Sequence, residues 1–323
     1  MKEICLDTYK FRSNQKLKIL VVSDIHFSYQ VANEKFERFL KVAEQKKPDY
    51  ILIPGDLIDS NDMIKDPDEE ERLLGWLEQL GFIARVLISM GNHDSYEKAG
   101  KDWRIFRNKS FYEKVNLIRN VTLLDNDIYE DDKLYVLGLT LTPTYYNFNT
   151  SGENKTTFIR PTNERTDELL RIIRELKPKK FFKKVLRKSL TKDLPKDKLK
   201  LAMIHSPVCL HDSEVEEELK EFDYYISGHM HNGIVPPIFD EIFRGTRGIV
   251  SPTRNIFPPN IRHTIKGEND KSIVVGAFTT SHECAGWMHH FNVFFPTYAA
   301  MLEFSKNNSK IPEIKRKYLR PKL

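Results

Sequence analysis

Cysteine is scarce in this chain: 323 residues hold only Cys5, Cys209 and Cys284. An odd count without a C-x-x-C spacing is poor material for a disulfide framework or a zinc ribbon, and it fits a reducing, intracellular setting. A long apolar run is also missing. The opening residues, Met1-Lys2-Glu3-Ile4-Cys5-Leu6-Asp7, have no signal core, and no stretch reaches the ~18 residues of a membrane span. The expectation is a soluble, cytoplasmic protein. Charge of one sign is in short supply too. With 51 Lys and Arg against 46 Asp and Glu, the net charge is +5, far from the extreme of a dedicated nucleic-acid binder.

What the chain does have is a core-forming composition, 40% hydrophobic and 11% aromatic. It also has five short clusters of metal-binding side chains: Asp24-Ile25-His26, Gly55-Asp56, Gly91-Asn92-His93-Asp94, His205 and Gly228-His229-Met230-His231. Each cluster follows an apolar run that reads as a buried strand, at residues 18–22, 50–53, 86–89, 201–204 and 224–226. A single Asp at a strand end also reads as a helix cap, and Asp24, Asp56 and Asp94 each allow it. Five such clusters in succession make a metal site the better reading. A divalent ion at neutral pH takes carboxylate oxygen and neutral imidazole nitrogen. Seven candidate ligands (Asp24, His26, Asp56, Asn92, His205, His229, His231) exceed what one ion needs and suit two ions sharing a carboxylate. Two ions roughly 3.5–4 Å apart activate a bridging water, polarise phosphoryl oxygens and align nucleophile with leaving group.

In this order, D-x-H, G-D, G-N-H-D, H and G-H-x-H, the residues resemble the calcineurin-like metallophosphoesterases over positions 24–231. That resemblance implies that Asp24, His26 and His231 hold one metal and Asn92, His205 and His229 the other, with Asp56 between them. It implies His93 as the catalytic histidine, oriented by Asp59, and attack on the ester by a metal-bridging hydroxide. It also implies the fold, an α/β (α+β) four-layer α/β/β/α sandwich of two mixed β-sheets flanked by helices. The ions would be two divalent transition metals, Mn, Fe, Zn, Co or Ni. Ser60 stands where protein Ser/Thr phosphatases carry an Arg, which argues against that branch. The substrate expected is a small phosphodiester or phosphomonoester, with no protein partner. The alternatives are a nuclease, or a non-catalytic interaction scaffold on the same fold.

Because the motifs must converge, one phosphoesterase domain over residues 1–308 is expected, followed by a basic tail at 309–323. Helical spacing marks residues 31–46 and 68–80 as helices between strands. More strands are read at 121–124, 134–141, 272–278 and 300–304. An insertion at about 145–200 reads as a loop and two helices, 163–176 and 179–190. Within it, residues 171–200 hold thirteen Lys or Arg against three acids. A solvated helix packing its apolar face on the sandwich is favoured there over an anion-attracting lid or a nucleic-acid groove. Arg247 and Arg254 read as surface residues, with a phosphate clamp as the sharper alternative. His263, His282, His289 and His290 show no ligand spacing.

Overall fold

The computed structural model describes residues 4–319 apart from 147–193, 251–256, 281–294 and isolated positions within 29–32, 61–62, 100–107, 142, 237–246 and 262–266. The chain opens with β1 (Ile4–Arg12) and β2 (Leu17–Val21), then alternates α1 (Asn33–Lys46), β3 (Tyr50–Pro54), α2 (Pro67–Ile83) and β4 (Arg85–Ser89). A single turn, α3 (Asn92–Ser95), leads to the hairpin β5 (Tyr96–Ala99) and β6 (Asp102–Ile105). There follow α4 (Lys109–Leu117), β7 (Val121–Leu124), β8 (Asp127–Glu130) and β9 (Leu134–Leu139). After the insertion come β10 (Leu199–Ile204), α5 (Ser213–Glu218), β11 (Tyr224–Ser227), β12 (Ser272–Val274), β13 (Thr297–Ser305) and β14 (Glu313–Leu319).

These strands build two mixed sheets, ordered β14-β1-β13-β2-β3-β4-β7 and β12-β11-β10-β9-β8. Strands β2, β3, β4 and β7 are parallel, as their helical crossovers require, while β13 and β14 run against their neighbours β2 and β1. Alternation along the strands separates the layers. On β3, Ile51 and Ile53 face α1, α2 and α4, whereas Tyr50 and Leu52 face the second sheet. On β10, Leu201 and Met203 point between the sheets, and Ala202 and Ile204 point to Val215, Leu219 and Phe222 around α5. Three cores between four layers result, which is the expected α/β/β/α sandwich.

The C-terminal segment differs from the sequence reading. Glu313–Leu319 lies in the expected basic tail yet is strand β14, paired with β1. The side chains at 315–317 read as a solvated charge run, but Arg316 makes a two-pronged contact with Asp7 and the strand completes an edge. The helices expected at 163–176 and 179–190 lie outside the described residues, as do Arg254, His263, His282, Cys284, His289 and His290. No helix among the described residues is long and apolar enough to cross a membrane.

Candidate metal centre

The C-terminal ends of β2, β3 and β4 in one sheet and of β10 and β11 in the other deliver all the candidate ligands, just past each strand's last residue. Backbone hydrogen bonds weave these loops together. His26 N donates to Asp56 O (3.1 Å) and Gly228 N to His205 O (2.9 Å). His93 N donates to Asp56 Oδ1 (2.9 Å). The two sheets meet where His229 N donates to both Asp24 carboxylate oxygens, at 2.9 and 3.0 Å.

Three groups of donor atoms result, each within 4.8 Å: Asp24, His26, Asp56 and His231; Asp56, His205 and His229; and His26, Asp59 and His93. Asp56 belongs to the first two. Asn92 is buried beside His93 on α3, and its Oδ1 has no hydrogen-bond partner. His205 Nε2 stands 2.8 Å from Asp56 Oδ2, yet neither atom makes an aligned hydrogen bond; His26 Nε2 lies 3.6 Å from that oxygen and Asp24 Oδ1 3.7 Å from that nitrogen. His231 Nε2 lies 3.3 Å from Asp24 Oδ1 and 3.1 Å from His26 Nε2. Buried donors that face each other without bonding are what a shared cation would separate and satisfy. The residues therefore fit the ions that the sequence implies.

In His205, His231, His229 and His93 the second ring nitrogen is held by a backbone carbonyl, which fixes the tautomer. His205 Nδ1 donates to Pro54 O (2.7 Å), leaving Nε2 toward Asp56. His231 Nδ1 donates to Thr280 O (3.2 Å). In His229 the roles reverse: Nε2 donates to Tyr146 O (3.0 Å), turning Nδ1 inward. His93 Nδ1 lies 2.6 Å from the Asp59 carbonyl oxygen and 3.8 Å from its carboxylate. Asp59 thus reaches His93 mainly through its backbone.

Burial alone would raise the Asp56 carboxyl, but His205, His93 and His229 around it outweigh this and hold it well below the usual carboxylate range. Burial likewise disfavours the His205 imidazolium, yet Asp56 and Asp24 lift the ring to about 9. Asp94 is fully buried, and burial together with the Asp56 charge raises its carboxyl. The sequence shows Asp94 only as part of a motif; its work is visible in space. It accepts from Gly91 N (2.7 Å), Leu57 N (3.1 Å), Ile58 N (3.3 Å) and Tyr112 Oη (3.0 Å), tying two ligand loops to α4. Nothing in the sequence marks Tyr112, or the carbonyls of Pro54, Tyr146 and Thr280. Left-handed backbone recurs at the ligands, with φ of 53° at Asp24, 46° at His26, 53° at Asp56, 68° at His229 and 46° at His231. For L-residues this costs roughly 1–2 kcal/mol each and persists where surroundings over-determine it.

A two-sheet sandwich with a buried cluster of potential metal ligands at its strand ends defines the class of scaffold. Within it, residues 17–233 match the calcineurin-like phosphoesterase family, well over half of the 323 residues, and the chain belongs to that family. A transmembrane protein with a metallophosphoesterase domain from Danio rerio is 31% identical over 90 residues, 27% of this chain and 19% of that protein. An uncharacterized metallophosphoesterase from Aquifex aeolicus (strain VF5) is 27% identical over 112 residues, 34% of this chain and 41% of the relative. The matched stretch is less than half the length of either curated relative. Among solved structures, a dimetal phosphatase from Danio rerio is similar at 11% identity and TM-score 0.46, over 90% of this chain and 93% of that one. A Thermus thermophilus protein is similar at 14% identity and TM-score 0.37, over 66% and 82%.

Proposed function

We propose that the protein is a metal-dependent phosphoesterase that hydrolyses a phosphodiester or phosphomonoester. The observation that carries this reading is Asp56, a buried, ionised carboxylate common to two donor groups, with the unbonded His205 Nε2 2.8 Å from its Oδ2. Asp24, His26 and His231 would hold one ion and Asn92, His205 and His229 the other, with Asp56 shared. Mn, Fe, Zn, Co and Ni all accept such a mixed shell. Two bound divalent ions supply Lewis acidity toward the phosphoryl oxygens and an activated water. The chain's own residues then set the geometry. Backbone carbonyls at Pro54, Tyr146 and Thr280 take one N–H each of His205, His229 and His231, so that the other nitrogen of these three rings is the one aimed inward.

His93 takes the part of the leaving-group acid. Its Nδ1–H is engaged by Asp59 O, which leaves Nε2 as the nitrogen that, in the protonated ring, donates toward the departing oxygen. His93 and His26 stand edge to face, ring centres 4.6 Å apart, so the acid adjoins the first ligand group. Metal-stripped protein refilled with Mn, Zn or Ni should hydrolyse bis-p-nitrophenyl phosphate or p-nitrophenyl phosphate. Asp56→Asn should lose turnover and metal together. His93→Ala should keep its metal while kcat falls about 10²–10⁴-fold, the range for a lost general acid. A refilled, folded wild type that turns over neither ester, or a fully active Asp56→Asn, would sink the reading.

A further inference from the structure

Helix α2 contributes no candidate ligand, yet one of its side chains reaches the loop that leaves the first ligand motif. The guanidinium of Arg72 is shared among four acceptors. Its Nη1 donates to Val31 O (3.2 Å) and Asn33 Oδ1 (2.7 Å), and its Nη2 donates to Ser28 O (3.1 Å) and Glu69 Oε2 (2.5 Å). Glu69, three residues earlier on the same helix, answers the charge. The other three acceptors belong to the stretch between His26 and the start of α1. The same guanidinium lies over the buried ring of Phe27, its carbon 4.5 Å from the ring centre.

Phe27 is the backbone link between that loop and the residue that holds His93. Its N donates to Leu57 O (3.0 Å) and its O accepts from Asp59 N (3.1 Å), so that Phe27 and Ile58 pair as a parallel bridge outside the strands of either sheet. Asp59 O in turn takes His93 Nδ1–H across 2.6 Å. A bridge of two hydrogen bonds sets the direction of the Asp59 carbonyl only as firmly as Phe27 itself is held. Arg72 holds it from behind, through the ring of Phe27 and the carbonyls of Ser28 and Val31. An ion pair within reach of solvent contributes little by itself. Directed bonds to several acceptors at once are what the fixed fork of a guanidinium supplies and the point charge of a lysine does not.

We propose that Arg72 is a positioning residue for His93: by fixing Phe27 against Asp59 it keeps the Asp59 carbonyl on His93 Nδ1–H and so sets the tautomer and direction of that ring. The hold on the ring stands on the geometry; its consequence for turnover rests on the phosphoesterase reading above. His26 has its own tie to the second ligand loop, His26 N to Asp56 O (3.1 Å), and Asp56 receives His93 N (2.9 Å). Loss of Arg72 is therefore felt at the His93 ring and spares metal uptake.

The test takes two measurements on the full chain refilled with Zn. Nitrogen NMR of ring-labelled histidine should show His93 as the Nδ1–H tautomer in wild type and as a mixture of tautomers in Arg72→Met. On the p-nitrophenyl ester that wild type hydrolyses, Arg72→Met should lose about tenfold in kcat at unchanged KM and metal content. The matching phenyl ester should lose more, since a poorer leaving group depends more on a delivered proton. In the His93→Ala background the same substitution should cost nothing further. Arg72→Lys keeps the packing and a cation at Phe27 but not the fork, and should show both losses in smaller measure, so the test stands even where Arg72→Met folds poorly. Lys114→Met, which cuts the ion pair from α4 to Glu70 on the same helix, should change neither reading. Wild-type tautomer and kcat in Arg72→Met, or an equal loss in the His93→Ala background, would overturn the positioning. So would a matching fall in metal affinity, which would move the action of Arg72 to His26. A wild type silent toward every such ester, whose His93 tautomer still depends on Arg72, removes the phosphoesterase reading alone.

Discussion

A glycine precedes three of the ligand motifs, and at each the reason is a residue from a different motif. A Cβ at Gly55 would lie 2.6 Å from His205 Nδ1, one at Gly91 would collide with the Asp56 carboxylate, and one at Gly228 with Asp24 and Ser23. Gly91→Ala must therefore move Asp56, and metal affinity should fall by about 10–100-fold, as for loss of a ligand's support. Equilibrium titration with Mn or Zn measures it; unchanged affinity would mean that the loop yields freely. Gly75, inside α2 with nothing near its missing Cβ, is the contrasting case. Gly75→Ala should raise unfolding stability by about 0.5–1 kcal/mol through helix propensity, with metal affinity unaltered. Tyr112→Phe removes one of the donors to buried Asp94 and should cost about 1–3 kcal/mol in a urea melt. A variant as stable as wild type would show that the backbone amides alone satisfy that carboxylate.

At the scale of elements, the end of the sandwich opposite the ligands is pinned by a polar contact between the sheets. Tyr50 opens β3, and its hydroxyl donates to Asp131 Oδ2 at 2.5 Å in the turn between β8 and β9; Tyr129 on β8 donates to the same oxygen at 2.9 Å. Burial would raise the Asp131 carboxyl, but these hydroxyls and the Lys133 and Leu134 amides outweigh it and hold it below the usual range. A carboxyl depressed in the folded state stabilises above its unfolded pKa, and that stability is lost as pH falls through the folded one. Tyr50→Phe should cost about 1.5–3 kcal/mol at neutral pH, the worth of a hydrogen bond to a charged group. The gap from wild type should close on acidification below the ordinary carboxylate pKa; a gap independent of pH would assign the loss to packing. Such pins were not legible beforehand, because Tyr50 and Asp131 lie far apart in sequence. The strands that carry ligands were legible, since a fully buried strand reads as an apolar run and each run here ends in metal-binding residue types. Edge strands fared worse. Glu313–Leu319 alternates charged and apolar residues with little burial, so its lysines and arginine outweighed its period of two. Ile4–Arg12, an inner strand between β14 and β13, was missed for another reason, because Asp7, Lys10 and Arg12 interrupt the apolar run.

For the molecule as a whole, the candidate centre doubles as the fastening between the sheets. Asp24, His26, Asp56 and Asn92 come from loops of the seven-stranded sheet, and His205, His229 and His231 from the five-stranded one. Without ions, this end of the sandwich brings buried carboxylates and imidazoles together on strained backbone, with Asp56 Oδ2, His205 Nε2 and Asn92 Oδ1 unbonded. Cations would satisfy those atoms in the folded state only, because no unfolded chain gathers seven ligands from positions 24–231. Their binding energy is then folding energy, about 2.7 kcal/mol when free ion stands at a hundred times its Kd. The thermal midpoint should accordingly fall on chelation and climb with added Mn or Zn. In Asp56→Asn the same titration should move the midpoint far less, since the variant gives up the carboxylate common to both groups. Melts that ignore chelator and ion alike, in a protein shown by elemental analysis to take up metal, would mean that the centre is preformed by the sheets and contributes nothing to holding them.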